Sequence, residues 1–366
     1  MLAAASIIDL IYRSFYPKNL IHQSNKLLYT RRPILMQQRF QNKERTMQTD
    51  AKALPNPGAA HAVVVGGGTM GADVAVVLTR AACRTTVIEP DAARAAALPA
   101  RVAENLKTIG REANAPLLGT APNLDAVDWA SGPGDIECVP ERLDIKQALF
   151  ADLVQRARPD AVLASNSSSF PISAISQGLT TRERMLGLHF FMPAHLVPLV
   201  EVVMGEASDE ARADALIAFM RRCGSVPVKV RQDLPGFLAN RLQHALSREA
   251  FNLIDRGIAS PEDVDAAVRF GFGFRFLAAG PVMQRDHAGI DVHAAAGATM
   301  YPTFCNDDHP AQCLAERAAD GRYGMKAGEG FYTWTPETIA AERARYDRLL
   351  RAGLDLIAPE LPEIQP

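Results

Sequence analysis

The chain has 366 residues, 48% of them apolar, and a formal charge of −2, which is enough for two ordinary globular domains. Its charges are spread rather than blocked, so neither nucleic acid nor a membrane surface is expected as a partner, and its most apolar windows, such as 197–203, fall far short of the roughly 20 residues a membrane-spanning helix requires. Five cysteines (Cys83, Cys138, Cys223, Cys305 and Cys313) form no CxxC pair and no zinc spacing, which predicts reduced thiols, an intracellular setting and no metal site.

The head of the chain differs from the rest. Half of the lysines (Lys18, Lys26, Lys43 and Lys52) precede residue 53, and the first glycine is Gly58. Residues 1–46 are basic with few acids, the composition of a transit peptide, and they equally fit a leader translated upstream of a true start at Met47. The second reading is favoured on residue usage and implies a cytoplasmic protein; the first implies the mitochondrial matrix. The expected division is a leader at 1–46, a first domain at 47–232 and a second at 233–366.

From His61 the pattern becomes apolar strand (62–65), glycine-rich turn, helix (72–80) and strand (85–89). Further strands are predicted at 135–139, 161–165, 185–189, 199–204 and 226–230, with helical stretches between most of them, so the first domain reads as a doubly wound parallel α/β sheet with helices on both faces. After 233–236 the strand pattern stops. Helices are predicted at 237–255, 261–270, 291–300 and 339–357, which makes the second domain all-helical. Ser260 and Pro261 have the types of an N-cap and a first helical residue.

The turn itself, Gly66-Gly67-Gly68-Thr69-Met70-Gly71, is a GxGxxG between strand and helix, and Glu89 ends the next strand 23 residues beyond Gly66. Gly66 permits the tight turn, Gly68 lets a pyrophosphate approach the backbone, and Gly71 lets helix and strand pack closely, while Thr69 and Met70 open the helix toward the phosphates. A turn with no ligand would not need the strand, helix and acid all in register. The reading is a Rossmann-type dinucleotide site. A carboxylate at the ribose repels a 2′-phosphate, so Glu89 predicts NAD over NADP; Arg94 is read as too far along the next helix to change that.

His189 closes an apolar strand, and Glu201 lies twelve residues later in an otherwise uncharged run. A carboxylate in such company requires a partner, and an imidazole would serve. The pair would suit proton abstraction from a hydroxyl while hydride leaves for a nicotinamide. A satisfied core histidine is the plain alternative, and His195, nearer to Glu201 in sequence, competes for the role. The run 165–169, Ser-Asn-Ser-Ser-Ser, ends a strand at the carboxyl edge where open α/β sheets bind ligands, or is an ordinary turn. Asn240, within a helix, is placed to donate to a substrate oxygen or to cap a loop.

Taken together these segments are similar to the 3-hydroxyacyl-CoA dehydrogenases, including relatives that oxidise small hydroxy acids such as gulonate and carnitine. The resemblance covers about 60–335 and rests on 66–71, 136–141 with Lys146, 164–169, 187–191, 199–202, 233–241 and 326–332. It implies His189 as base, Glu201 as its orienting partner, and Ser168 and Asn240 as holders of the reacting oxygen. It also implies NAD contacts from Glu89, Glu141, Lys146, Ser168 and Lys326, a homodimer formed through the helical domain, and a place in fatty acid metabolism. The expected reaction is oxidation of an (S)-3-hydroxyacyl-CoA to the 3-oxoacyl-CoA. Three departures bear on the substrate. Met192 replaces the family asparagine after His-Phe-Phe. The helix after Glu89 carries Asn105 and Glu112 where CoA-using members place serine and lysine, leaving Arg101, Lys107 and Arg111. The segment 273–281 is longer than in the CoA type, and its Arg275 could pair with a substrate carboxylate. The alternatives are therefore a CoA-free hydroxy acid as substrate, or an NAD-binding protein without turnover.

Overall fold

In the computed structural model, residues 53–129 and 134–366 are described; the expected leader and a start at Met47 lie outside them. The first layer is an eight-stranded sheet in the order β3-β2-β1-β4-β5-β6-β7-β8. Its strands are β1 (His61–Val65), β2 (Arg84–Ile88), β3 (Leu118–Ala121), β4 (Gly134–Glu137), β5 (Val162–Ser165), β6 (Met185–Phe190), β7 (Leu199–Met204) and β8 (Val226–Val230). The first six are parallel, as expected. β7 pairs antiparallel with β6, and β8 runs parallel to β7, so the last two strands run the other way.

Alternation along β1 explains why helices cover both faces. Val64 packs into one buried cluster with Val74, Leu78, Leu98 and Leu216, while Val63 and Val65 enter the other with Phe150, Leu153 and Ile175; successive side chains of a strand point to opposite faces. On the first face lie α1 (Thr69–Thr79), α2 (Ala92–Lys107) and α5 (Glu210–Arg222), and on the second α3 (Leu143–Arg156) and α4 (Ile172–Ile175). Helix α1 is buried from Gly71 through Thr79, as suits a central helix. Helix α2 buries only Leu98, Val102 and Leu106, a single stripe at four-residue spacing.

The remaining helices include α6 (Ala239–Asp255), α7 (Pro261–Ala266), α8 (Pro281–Ala288), α9 (Ile290–Met300), α10 (Gln312–Ala319) and α11 (Pro336–Ile357). Ser260 caps α7 by accepting the Asp263 N–H at 3.1 Å, with Pro261 in the first turn. Helix α11 starts three residues before the predicted 339, at a capping box between Thr335 and Thr338. Sheet and helices form one compact unit, Ala53–Pro366. The tail returns to the sheet side, where the Gln365 N–H donates to the Arg222 carbonyl at 2.9 Å. Among the described residues no helix is long and apolar enough to cross a membrane.

Candidate active site

The glycine turn has the shape of a phosphate cradle. Gly66 has φ +104°, and a Cβ on Gly71 would stand 1.8 Å from the Gly66 carbonyl oxygen, so neither position takes a side chain. A Cβ on Gly68 would meet nothing within 4 Å. The turn is thus closed behind and open in front, with Thr69 and Met70 in the first turn of α1, and these residues fit a dinucleotide pyrophosphate at a helix N-terminus. Glu89 is buried at the end of β2 and bonded to the turn: its Oε2 accepts the Gly67 N–H at 3.1 Å. Burial alone would raise its pKa, but hydrogen bonds from Arg94, Asp91 and Gly67 hold the carboxyl below its ordinary value. Arg94 corrects the expectation from spacing, because its Nη2 donates to Glu89 Oε1 at 3.0 Å. The residue sits in the first turn of α2, from which a long side chain reaches back.

At the ends of β4 and β5 a second charged group is enclosed. Lys146 of α3 is 1% exposed and lies between Glu137 (Nζ to Oε1 2.8 Å, to Oε2 3.0 Å) and Glu141 (3.1 Å). Ser165 donates to Glu137 at 2.6 Å, so this fully buried carboxylate is satisfied on both oxygens. Glu141 accepts from the hydroxyls of Ser167 (2.6 Å) and Ser169 (2.7 Å) and from the amides of Ser168 and Ser169. It thereby folds the serine run into a fixed loop that presents Ser168. Lys146 is sealed from solvent, and its charge reaches the site through Glu141. Burial would raise the Glu141 pKa, yet the serine hydrogen bonds and Lys146 bring it down to about 2 from an ordinary 4.5.

A carboxyl with a depressed folded pKa stabilises the fold above its unfolded pKa and loses that contribution as pH falls through the folded value. In acid titrations followed by circular dichroism, wild-type stability should therefore fall between pH about 4.5 and about 2, and Glu141→Gln should show a shallower fall. Parallel curves for the two proteins would contradict this role.

The antiparallel register sets His189 of β6 directly opposite Glu201 of β7. His189 Nδ1 lies 2.8 Å from Glu201 Oε2, and His189 Nε2 lies 3.0 Å from Ser168 Oγ. Both members of the pair are buried. An ionised carboxylate only accepts, so Nδ1 carries the imidazole proton and Nε2 is left as an acceptor facing Ser168. The second oxygen of Glu201 is also used: Oε1 accepts the N–H of Leu238 (3.1 Å) and of Ala239 (2.7 Å) at the start of α6. Gly236 (φ +80°) and Phe237 (φ +50°) turn the chain so that these two amides aim at one oxygen. The Phe237 and Phe191 rings meet the imidazole edge-on, with centroids at 5.5 and 4.6 Å.

Asn240 follows in the first turn of α6, one residue beyond the Ala239 amide held by Glu201, so the carboxylate that bonds His189 also anchors the helix start that carries Asn240. His195 is not the partner of Glu201; its Nδ1 lies 3.6 Å from Asp73 Oδ2, beyond hydrogen-bond reach. Met192 is 63% exposed. Lys326 is exposed on the turn after α10, and Arg275 is exposed at the end of a short helix, Gly273–Arg275; neither bonds to the other expected site residues. Three contributors went unassigned from sequence: Glu137, Phe237 and Asn166, whose Oδ1 accepts the Phe190 N–H at 2.9 Å and ties β5 to β6. Glu137 carried a weaker signal than Glu201: it stands between Ile136 and Cys138 at the end of its strand, but Asp135 precedes it in the same strand.

Compared with known proteins, residues 61–234 match the model of the 3-hydroxyacyl-CoA dehydrogenase NAD binding domain, and residues 236–334 match that of the 3-hydroxyacyl-CoA dehydrogenase C-terminal domain. The chain is 34% identical over 292 residues to 5-formyl-3-hydroxy-2-methylpyridine 4-carboxylate 5-dehydrogenase of Mesorhizobium japonicum, covering 77% of this chain and 94% of that one. It is 34% identical over 290 residues to 3-hydroxyadipyl-CoA dehydrogenase of Escherichia coli, covering 76% of this chain and 59% of the relative. A crystal structure of a 5-formyl-3-hydroxy-2-methylpyridine 4-carboxylic acid 5-dehydrogenase, described as an NAD+-dependent dismutase, superposes with a TM-score of 0.76 at 28% identity, over 82% of this chain and 98% of that one.

Proposed function

The chain belongs to the 3-hydroxyacyl-CoA dehydrogenase family and is an NAD-dependent oxidoreductase, and from that premise we propose that it oxidises a hydroxyl-bearing carbon with His189 as the proton acceptor. The observation that carries this reading is the unbroken chain Ser168–His189–Glu201, with links of 3.0 and 2.8 Å. A substrate hydroxyl bound against Ser168 Oγ would meet Nε2, the one imidazole nitrogen free to take a proton. Glu201 then stabilises the imidazolium, and Ser168 with Asn240 holds the oxygen as it becomes a carbonyl. Bound NAD supplies the hydride acceptor.

For the substrate, we favour a small hydroxy acid carrying its own carboxylate over a CoA ester. The Mesorhizobium relative is named for a pyridine carboxylate. Of the cations on and just after helix α2, Arg94 is tied to Glu89, and Arg101 is tied to Asp73 at 3.1 Å and to the Thr69 carbonyl at 3.2 Å, which leaves Lys107 and Arg111 for a CoA phosphate. Arg275, exposed and without a carboxylate partner among the described residues, would receive the substrate carboxylate. Oxidation of an (S)-3-hydroxyacyl-CoA is the second reading, supported by the family and by the Escherichia coli relative.

NADH formation at matched concentrations of (S)-3-hydroxybutyryl-CoA, a longer hydroxyacyl-CoA, L-gulonate and L-carnitine separates the two. A free acid should give the higher kcat/KM. Arg275→Met should raise KM for that acid roughly 10- to 100-fold, the worth of a charged hydrogen bond, while leaving the CoA esters little changed. A CoA ester as best substrate, with Arg275→Met neutral, would install the second reading.

The helical segment also exposes large apolar side chains, among them Phe270 (74%), Phe274 (69%), Val282 (80%) and Ile290 (66%), and burying them against a partner would be favourable. We propose that a second copy covers them. Light scattering should then give twice the 39.6 kDa chain mass; a monomer at micromolar concentration would overturn this.

A further inference from the structure

In dinucleotide sites of this type a carboxylate after β2 meets the ribose hydroxyls, whereas an arginine beside the ribose accommodates a 2′-phosphate. This chain has both, bonded to each other. Glu89 Oε1 accepts from the Asp91 N–H at 2.9 Å and from Arg94 Nη2 at 3.0 Å, while Oε2 accepts the Gly67 N–H at 3.1 Å. The Glu89 side chain is 5% exposed and that of Arg94 is 61% exposed.

An ordinary surface ion pair joins two mobile side chains and contributes little. Here one partner is fixed by two backbone amides, one of them inside the glycine turn. The backbone from which the arginine reaches is held as well, since Asp91 caps α2 by accepting the Arg94 N–H at 2.8 Å. The nearby Arg101 is committed to Asp73. Arg94 is therefore the cation in contact with the ribose-binding carboxylate, with its outer face open to solvent.

We infer that Arg94 is a specificity-determining residue held in check by Glu89: the carboxylate excludes a 2′-phosphate, and Arg94 is the group that would bind one once that carboxylate is neutral. Glu89→Gln preserves size and an acceptor oxygen while removing the charge, so it should unmask Arg94 without emptying the corner beside Gly67. The inference concerns the cofactor alone and stands whichever substrate is oxidised.

The test is binding, read by fluorescence titration with NADH and NADPH, with circular dichroism and thermal midpoints as folding controls. Wild type should prefer NADH by roughly 100-fold or more, from like-charge repulsion of the phosphate. Glu89→Gln should narrow that preference below about tenfold, chiefly by tighter NADPH binding, and Glu89→Gln/Arg94→Ala should lose about tenfold of the NADPH gain, the worth of one charged hydrogen bond. Arg94→Ala alone leaves the Glu89 charge without its cation, so it should weaken NADPH binding a further several-fold. Equal NADPH affinity in Glu89→Gln with and without Arg94, or NADPH binding unmoved by Arg94→Ala, would overturn the inference.

Discussion

Glu201→Gln is expected to lower kcat by roughly 10²- to 10⁴-fold, the usual worth of a positioned general base, while leaving NADH binding nearly unchanged. The reason lies in what surrounds the two carboxylate oxygens. Oε1 accepts two amide N–H groups, from Leu238 and Ala239, so a glutamine must keep its oxygen there and turn its NH₂ toward His189 Nδ1. That NH₂ needs an acceptor. The imidazole would shift its proton to Nε2, which then cannot take one from a substrate. Steady-state rates beside an NADH titration check this; a loss of kcat under about fivefold would mean that the carboxylate does not set the tautomer. Glu201→Ala should additionally destabilise the protein, because the α6 amides lose their acceptor as well.

Lys146→Met should destabilise the fold by about 3–5 kcal/mol, the cost of removing one partner from a buried ion pair. The ammonium is 1% exposed and faces Glu137, which is 0% exposed, on one side and Glu141 on the other. Without it Glu137 keeps its charge in a dry interior or takes up a proton, and Glu141 loses a cation that helps order the serine loop. A domain of this kind has only about 5–15 kcal/mol in hand. Urea unfolding should show a lower midpoint with an unchanged slope, and kcat should fall with the loosening of Ser168. Destabilisation below about 1 kcal/mol would mean that the three groups are not coupled.

Much of this architecture was readable because its signals are local. The glycine turn, the acid 23 residues later, and the apolar strands between helices each follow from backbone geometry and burial over a few residues. The short edge strand β3, Leu-Gly-Thr-Ala, was missed because four residues with a glycine carry no strand periodicity. The pairing of His189 with Glu201 was expected from the need of a buried carboxylate for a partner, but its geometry was not. Alternating apolar patterns look the same in parallel and antiparallel strands, so nothing local announces that β7 reverses against β6. That reversal makes residues twelve apart direct neighbours and leaves the nearer His195 beside Asp73. Arg94 was misjudged for a related reason: distance along a helix says little about a long side chain that can turn back past the helix start. The use of Glu201 Oε1 by α6 depends on the positive φ of Gly236 and Phe237, which a phenylalanine rarely adopts and sequence cannot signal.

The most direct test of the central claim is NADH formation at 340 nm by His189→Ala beside wild type, on the best substrate of the panel, with NADH affinity measured on the same samples. Wild-type NADH affinity with a kcat lower by roughly 10²- to 10⁴-fold is the expected result for the loss of the base. A kcat within about tenfold of wild type would contradict it and place proton removal on another group.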